Sequence, residues 1–134
     1  MRRRLMRVNR GIVAVVVALA VLVAFCGSGA AGTPQSKLAR AVYITTTKGC
    51  DCTLKRCQAA DAVVAQVFAG ARQRLLSRVD MAGDKDAAAS YIQKYHVVVL
   101  PSLLLLDGQG KLLWSAQGEM SREDITKQLG QLGG

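Results

Sequence analysis

Three cysteines fall within eight residues in the stretch Lys48-Gly49-Cys50-Asp51-Cys52-Thr53-Leu54-Lys55-Arg56-Cys57. Thiols this close together exchange electrons as a dithiol and disulfide, hold a soft metal ion such as Cu(I), Hg(II) or Zn(II), or close a staple that only stabilises a turn. Spacing sorts the pairs. In a continuous helix the Cα atoms of Cys52 and Cys57 would lie about 8.7 Å apart, beyond the roughly 7 Å limit for a disulfide, so that pair requires local unwinding. Cys50 and Cys52 close a small ring across Asp51; such a ring is strained and more easily reduced. A bridge from Cys50 to Cys57 requires the turn to fold back over the first helical turn. Asp51 is placed to cap a helix, while Lys48, Lys55 and Arg56 either favour thiolates or form solvated surface.

The elements that position these thiols begin after an N-terminal segment of different character. The 134 residues carry 18 Lys+Arg and 9 Asp+Glu, a net charge of +9, with 51% hydrophobic and 4% aromatic residues, a length that allows one domain. Five of the basic residues (Arg2, Arg3, Arg4, Arg7, Arg10) precede an uncharged run, Gly11 to Pro34, that contains VAVVVALAVLVAF. A basic head, an apolar run and small residues describe a secretory signal over residues 1–30, with Ser28-Gly29-Ala30 as the cleavage signal. The run is also long enough, at about 20 residues, to span a bilayer as an uncleaved anchor with its arginines in the cytoplasm.

Either way, the remainder is expected outside the cytoplasm: periplasmic or extracytoplasmic, secreted, or held on the inner membrane by residues 11–30. Arg2-Arg3-Arg4-Leu5-Met6-Arg7 resembles a twin-arginine signal, though the apolar run is more hydrophobic than such signals carry. Cys26 follows Phe25, where a lipidation motif places a small residue, and reads as part of the apolar run. The exported part keeps 13 basic against 9 acidic residues, a net +4. Its basic residues are scattered and its aromatics few, which excludes a nucleic-acid footprint. It contains no phosphate loop of the GxxxxGK type, and no Ser or Asp partner is recognisable for the one histidine, His96.

After a linker over residues 31–37, residues 38–134 read as one domain. Leu38–Thr46 is a β-branched-rich strand, followed by the cysteine turn. Leu54, Cys57, Ala60, Val64, Val67 and Phe68 recur at three and four residues, the buried stripe of a helix from Thr53 to about Ala71. Cys57 shares that stripe, which also suits a buried, inert thiol. A strand over Arg74–Met81, a helix over about Asp84–Lys94 and an apolar run from His96 to Leu100 follow. Ser102–Leu106 and Lys111–Ala116 form a hairpin through Asp107-Gly108-Gln109-Gly110. A last helix runs over about Arg122–Leu132, its start marked by Ser121 with Asp124 three residues on. The order is βαβαββα.

In order and length the chain resembles thioredoxin-fold proteins from about Ala39 to Leu129. The resemblance is most specific from Lys94 to Lys111 (KYHVVVLPSLLLLDGQGK), which looks like the family's succession of helix end, loop, cis-proline, strand and glycine turn. It implies an α/β fold with a central mixed sheet flanked by helices, Pro101 as the cis-proline, and Leu100 facing the active site. It also implies a redox pair, usually C-x-x-C, where the first strand meets the first helix, where helix-terminal amides stabilise a thiolate. Here that turn has C-x-C and a third cysteine five residues later. Lys48-Gly49 stands before Cys50 where the family has Trp, and the first strand carries no carboxylate.

The expected function is a cell-envelope thiol–disulfide oxidoreductase with Cys50, Cys52, Cys57 and Pro101 as site residues. Its partners would be protein disulfide or dithiol substrates or a membrane electron donor, and no cofactor is required. A second reading makes Cys50, Cys52 and Cys57 thiolate ligands of a soft-metal carrier. A third is a binding module whose cysteines only staple the turn. His96, at a loop position where the family often has glycine, is expected at the surface and not as a ligand.

Overall fold

The computed structural model describes residues 36–134. The expected signal or anchor over residues 1–30, and the linker up to residue 35, lie outside the described residues. Eight segments follow in order: β1 (Arg40–Thr45), α1 (Asp51–Val67), a 3-10 segment (Gly70–Leu75), β2 (Leu76–Asp80), α2 (Lys85–Tyr95), β3 (Ser102–Leu106), β4 (Leu112–Gln117) and α3 (Arg122–Leu132). The strands form one sheet in the order β2-β1-β3-β4. β1 runs parallel to β2 and antiparallel to β3, and β3 pairs antiparallel with β4. The βαβαββα order is therefore as the sequence implies, and the sheet is mixed. No helix among the described residues is long and apolar enough to cross a membrane.

Helices cover the two central strands on both faces, which is why those strands are apolar at almost every position. Ala41 and Tyr43 of β1 and Leu103 and Leu105 of β3 pack against Ala60, Val64, Val67 and Phe68 of α1 and its end, and against Ile125 and Leu129 of α3. On the opposite face Val42, Ile44, Leu104 and Leu106 meet Val79 of β2, Ala88 of α2 and Val97. Leucine is not a strong strand former, yet all five residues of Ser102–Leu106 are buried. Packing on both faces decides the conformation of that run.

A polar contact ties α1 to the sheet. The Tyr43 hydroxyl donates to Asp61 Oδ1 at 2.8 Å, with the Cys57 carbonyl also facing it at 3.4 Å, and Arg78 of β2 pairs with Asp61 at 2.9 Å. Burial, and then the Asp61 carboxylate, push the Tyr43 hydroxyl well above the usual phenol range. The Thr45 hydroxyl, buried and without a hydrogen-bond partner of good geometry among the described residues, lies close enough to offset part of that rise.

Several boundaries differ from the sequence reading. α1 starts at Asp51, two residues before the expected Thr53, because Cys50 and not Asp51 takes the N-cap position. The Cys50 carbonyl accepts from the amides of both Thr53 and Leu54 at 3.0 Å. Asp51 is the first helical residue, where its charge suits the positive end of the helix dipole. α1 stops at Val67, short of Ala71, because Gly70 adopts a left-handed φ of +64° and opens the 3-10 segment. That segment displaces the start of the second strand from Arg74 to Leu76. α3 has the expected bounds, and its cap is the expected one: the Asp124 amide donates to Ser121 Oγ at 3.2 Å. In the β3–β4 turn the Asp107 carboxylate accepts from the amides of Gln109 and Lys111, and of the two glycines only Gly110 has a positive φ.

His96 is the exposed C-cap of α2, with φ 54° and ψ 47°. A residue with a Cβ is strained there, and glycine is not. His96→Gly is expected to raise stability by about 0.5–1 kcal/mol, read as a higher urea midpoint with an unchanged slope. A lower midpoint would mean that the imidazole makes a contact that outweighs the backbone strain.

Candidate active site

The chain leaves the buried centre of the sheet at Thr45 and reaches the helix at Cys50 through a four-residue turn, Thr46–Gly49. Thr46 Oγ1 donates to the Lys48 carbonyl at 2.7 Å and accepts from the Lys48 amide at 3.2 Å. Thr47 is held from the neighbouring strand. Its amide and hydroxyl donate to the two carboxylate oxygens of Asp80, at 3.1 and 2.7 Å. β1 and β2 end side by side, Thr45 opposite Asp80, and the Met81 amide closes the pair on the Thr45 carbonyl.

Cys50 and Cys52 are exposed, with their sulfurs 2.7 Å apart. Cys50 Sγ also lies 3.2 Å from Thr53 Oγ1. Among the described residues the Cys50 side chain makes no cap hydrogen bond, but its sulfur sits at the positive end of a 17-residue helix. Hydrogen bonding from the Cys52 thiol, then from the Thr53 hydroxyl, with backbone amides assisting, draws the Cys50 thiol down to about 7. Near neutral pH a large part of Cys50 is therefore thiolate, the form that attacks a disulfide. The alkylation rate of Cys50 by iodoacetamide is expected to climb with pH, reach half its plateau near pH 7 and level off above it. A midpoint near the ordinary thiol value of about 8.5 would contradict this.

Cys57 stands apart from the pair. It is buried on the face of α1 turned to the sheet, 3% exposed. Because α1 is continuous from Asp51 to Val67, Cys52 and Cys57 keep the helical separation of about 8.7 Å, too far for a disulfide. The three cysteines do not form one ligand set: among the described residues no three His, Cys, Asp or Glu side chains cluster to hold a metal ion. His96, at the far end of α2, adds no ligand to them.

Pro101 is buried, and the Leu100–Pro101 peptide is cis, as the resemblance implies. Pairing of Ile44 with Ser102 puts Pro101 at the same end of the sheet as the cysteine turn. The loop before it is pinned by Gln117 Oε1, which accepts from the Val98 and Val99 amides at 2.9 and 3.3 Å, and by Ser102 Oγ, which donates to the Val99 carbonyl at 2.6 Å. The Gly118 amide donates to the Pro101 carbonyl at 2.8 Å. This loop presents Val98, 84% exposed, and Val99 to solvent.

Thr53, Asp80 and Gln117 belong to this arrangement without standing out in the sequence. A hydroxyl three residues after a cysteine at a helix start was the available signal for Thr53. Asp80 and Gln117 are distant in sequence and become neighbours of the site only through strand pairing.

Strand order, a parallel β1–β2 pair joined by a helix, an antiparallel β3–β4 hairpin and helices on both faces define a thioredoxin-like fold. No protein-family model and no curated protein matches the chain. It is similar to solved structures that include Trxlp of Edwardsiella tarda, at 23% identity over 76% of this chain and 93% of that one, with a TM-score of 0.47. An uncharacterised thioredoxin-like protein of Clostridium perfringens matches at 16% identity over 79% and 92% of the two chains, TM-score 0.47. MTB DsbF, in mixed oxidised and reduced forms, matches at 17% identity over 71% and 82%, TM-score 0.47.

Proposed function

We propose that the chain is a thiol–disulfide oxidoreductase acting outside the cytoplasm, with Cys50 as the attacking and Cys52 as the resolving thiol. One observation carries the reading: two exposed, adjacent thiols lie at a helix N-terminus, one of them with a lowered pKa, at the sheet end that also carries Pro101. In the reducing direction the Cys50 thiolate attacks a substrate disulfide, forms a mixed disulfide and releases one substrate thiolate, which takes up a proton. Cys52, once deprotonated, attacks Cys50 Sγ. The second substrate thiol leaves, and two electrons have passed from the Cys50–Cys52 pair to the substrate. A dithiol donor restores the pair, and the same steps run backwards oxidise a dithiol substrate.

Pro101 and the loop before it form the wall against which an extended substrate segment lies. The basic head and apolar run of residues 1–30 support export, with or without retention on the membrane. The test is turnover: the protein is expected to accelerate reduction of a peptide disulfide by dithiothreitol. A rate no different from dithiothreitol alone removes this reading.

A further inference from the structure

Among the described residues the turn between β1 and Cys50 has no strand partner, yet the position of Cys50 depends on it. Its one attachment to a neighbouring element among the described hydrogen bonds of residues 46–49 is the Asp80 carboxylate, which takes the Thr47 amide at 3.1 Å and the Thr47 hydroxyl at 2.7 Å. Asp80 is itself fixed. Its Oδ1 accepts from the Ala82 amide at 3.0 Å, and its carbonyl accepts from the Gly83 and Asp84 amides at 3.1 and 2.7 Å. The carboxylate thus joins the end of β2 to the residue three before Cys50. We propose that Asp80 is a positioning residue for Cys50: by fastening Thr47 it fixes the turn that sets Cys50 Sγ beside Thr53 Oγ1 and the Cys52 thiol.

The Thr47 hydroxyl and the Ala82 amide, with Arg78 nearby, hold the Asp80 carboxyl below its usual range, so the clasp is in its charged form at neutral pH. Charge and geometry make opposite demands on Cys50. As an anion, Asp80 disfavours a thiolate, and its removal by charge alone would ease ionisation of Cys50. As a clasp, it keeps Cys50 among the donors that stabilise the thiolate, and its removal makes ionisation harder. The sign of the effect distinguishes the two roles.

This inference deepens the redox reading and rests on the same site, but its test does not need turnover. In the full chain, the pH profile of Cys50 alkylation is read from fragment ions of the Gly49–Lys55 peptide, which separate Cys50 from Cys52. In Asp80→Ala the midpoint is expected to rise from about 7 towards the ordinary thiol value of about 8.5. Asp80→Asn, which keeps an acceptor for Thr47 without the charge, is expected to leave it near 7. An unchanged or lowered midpoint in folded Asp80→Ala overturns the proposal. If Asp80→Ala does not fold, Thr47→Val carries the test. It removes the shorter of the two bonds from an exposed residue, a smaller rise is expected, and an unchanged midpoint overturns the proposal. A midpoint that shifts as expected in a protein without disulfide-exchange activity would keep Asp80 as a positioning residue and reject the enzymatic reading instead.

Discussion

Replacing Cys50 with serine is expected to bring dithiothreitol-driven disulfide reduction down to the rate of dithiothreitol alone, a fall of at least about a thousandfold in the protein's contribution. A serine hydroxyl cannot form the mixed disulfide, and Cys52 does not share Cys50's position at the N-cap beside Thr53. Cys52→Ser should behave differently. With the reduced variant freed of dithiothreitol, Cys50 still attacks, the complex is not resolved, and a mixed disulfide with one substrate equivalent accumulates and is seen by mass spectrometry. Cys57→Ser should leave the rate unchanged and lower stability by about 1–3 kcal/mol, since it places a hydroxyl where a thiol is buried among the contacts of α1 with the sheet. If Cys50→Ser stays active while Cys57→Ser does not, the roles assigned to the thiols are wrong.

The second large effect is on stability. Phe68, 1% exposed, follows the last turn of α1 and packs in the cluster with Tyr43, Val64, Leu103 and Leu105. Phe68→Ala removes a ring that those neighbours cannot replace and is expected to cost about 3–5 kcal/mol. Against the usual domain stability of about 5–15 kcal/mol, this leaves a marginal fold. The measurement is urea unfolding followed by circular dichroism. A loss below about 1 kcal/mol would mean that the end of α1 is not packed as described. The effect bears on the site because α1 carries Cys50 and Cys52 at one end and is held to the sheet through Tyr43, Val64 and Phe68 towards the other.

The sequence reveals what periodicity and caps can carry. α3 is legible to the residue because Ser121, Asp124 and the apolar stripe agree. The start of α1 is not, because cysteine is not among the residues that mark an N-cap and the sequence pattern of the helix starts only at Thr53. The 3-10 segment is hidden because Gly70 can be read as a late helical residue as easily as a break. Cys57 lies on the apolar stripe in the sequence, but only the continuous helix separates it from the exposed pair. Pro101 rests on the family pattern, since one X-Pro bond says nothing of its isomer. Asp80 is the clearest miss. Its role depends on the register of two parallel strands joined through a helix, and no local pattern encodes that register.

The most direct measurement is peptide mapping of the oxidised protein without reduction. Tryptic cleavage after Lys48, Lys55 and Arg56 leaves Cys50 and Cys52 together in Gly49–Lys55 and Cys57 in the following peptide. Cys50 and Cys52 as the redox pair predict a Gly49–Lys55 peptide lighter by two hydrogens, with Cys57 a free thiol that alkylates only after unfolding. A cross-linked species joining Gly49–Lys55 to the Cys57 peptide would contradict it.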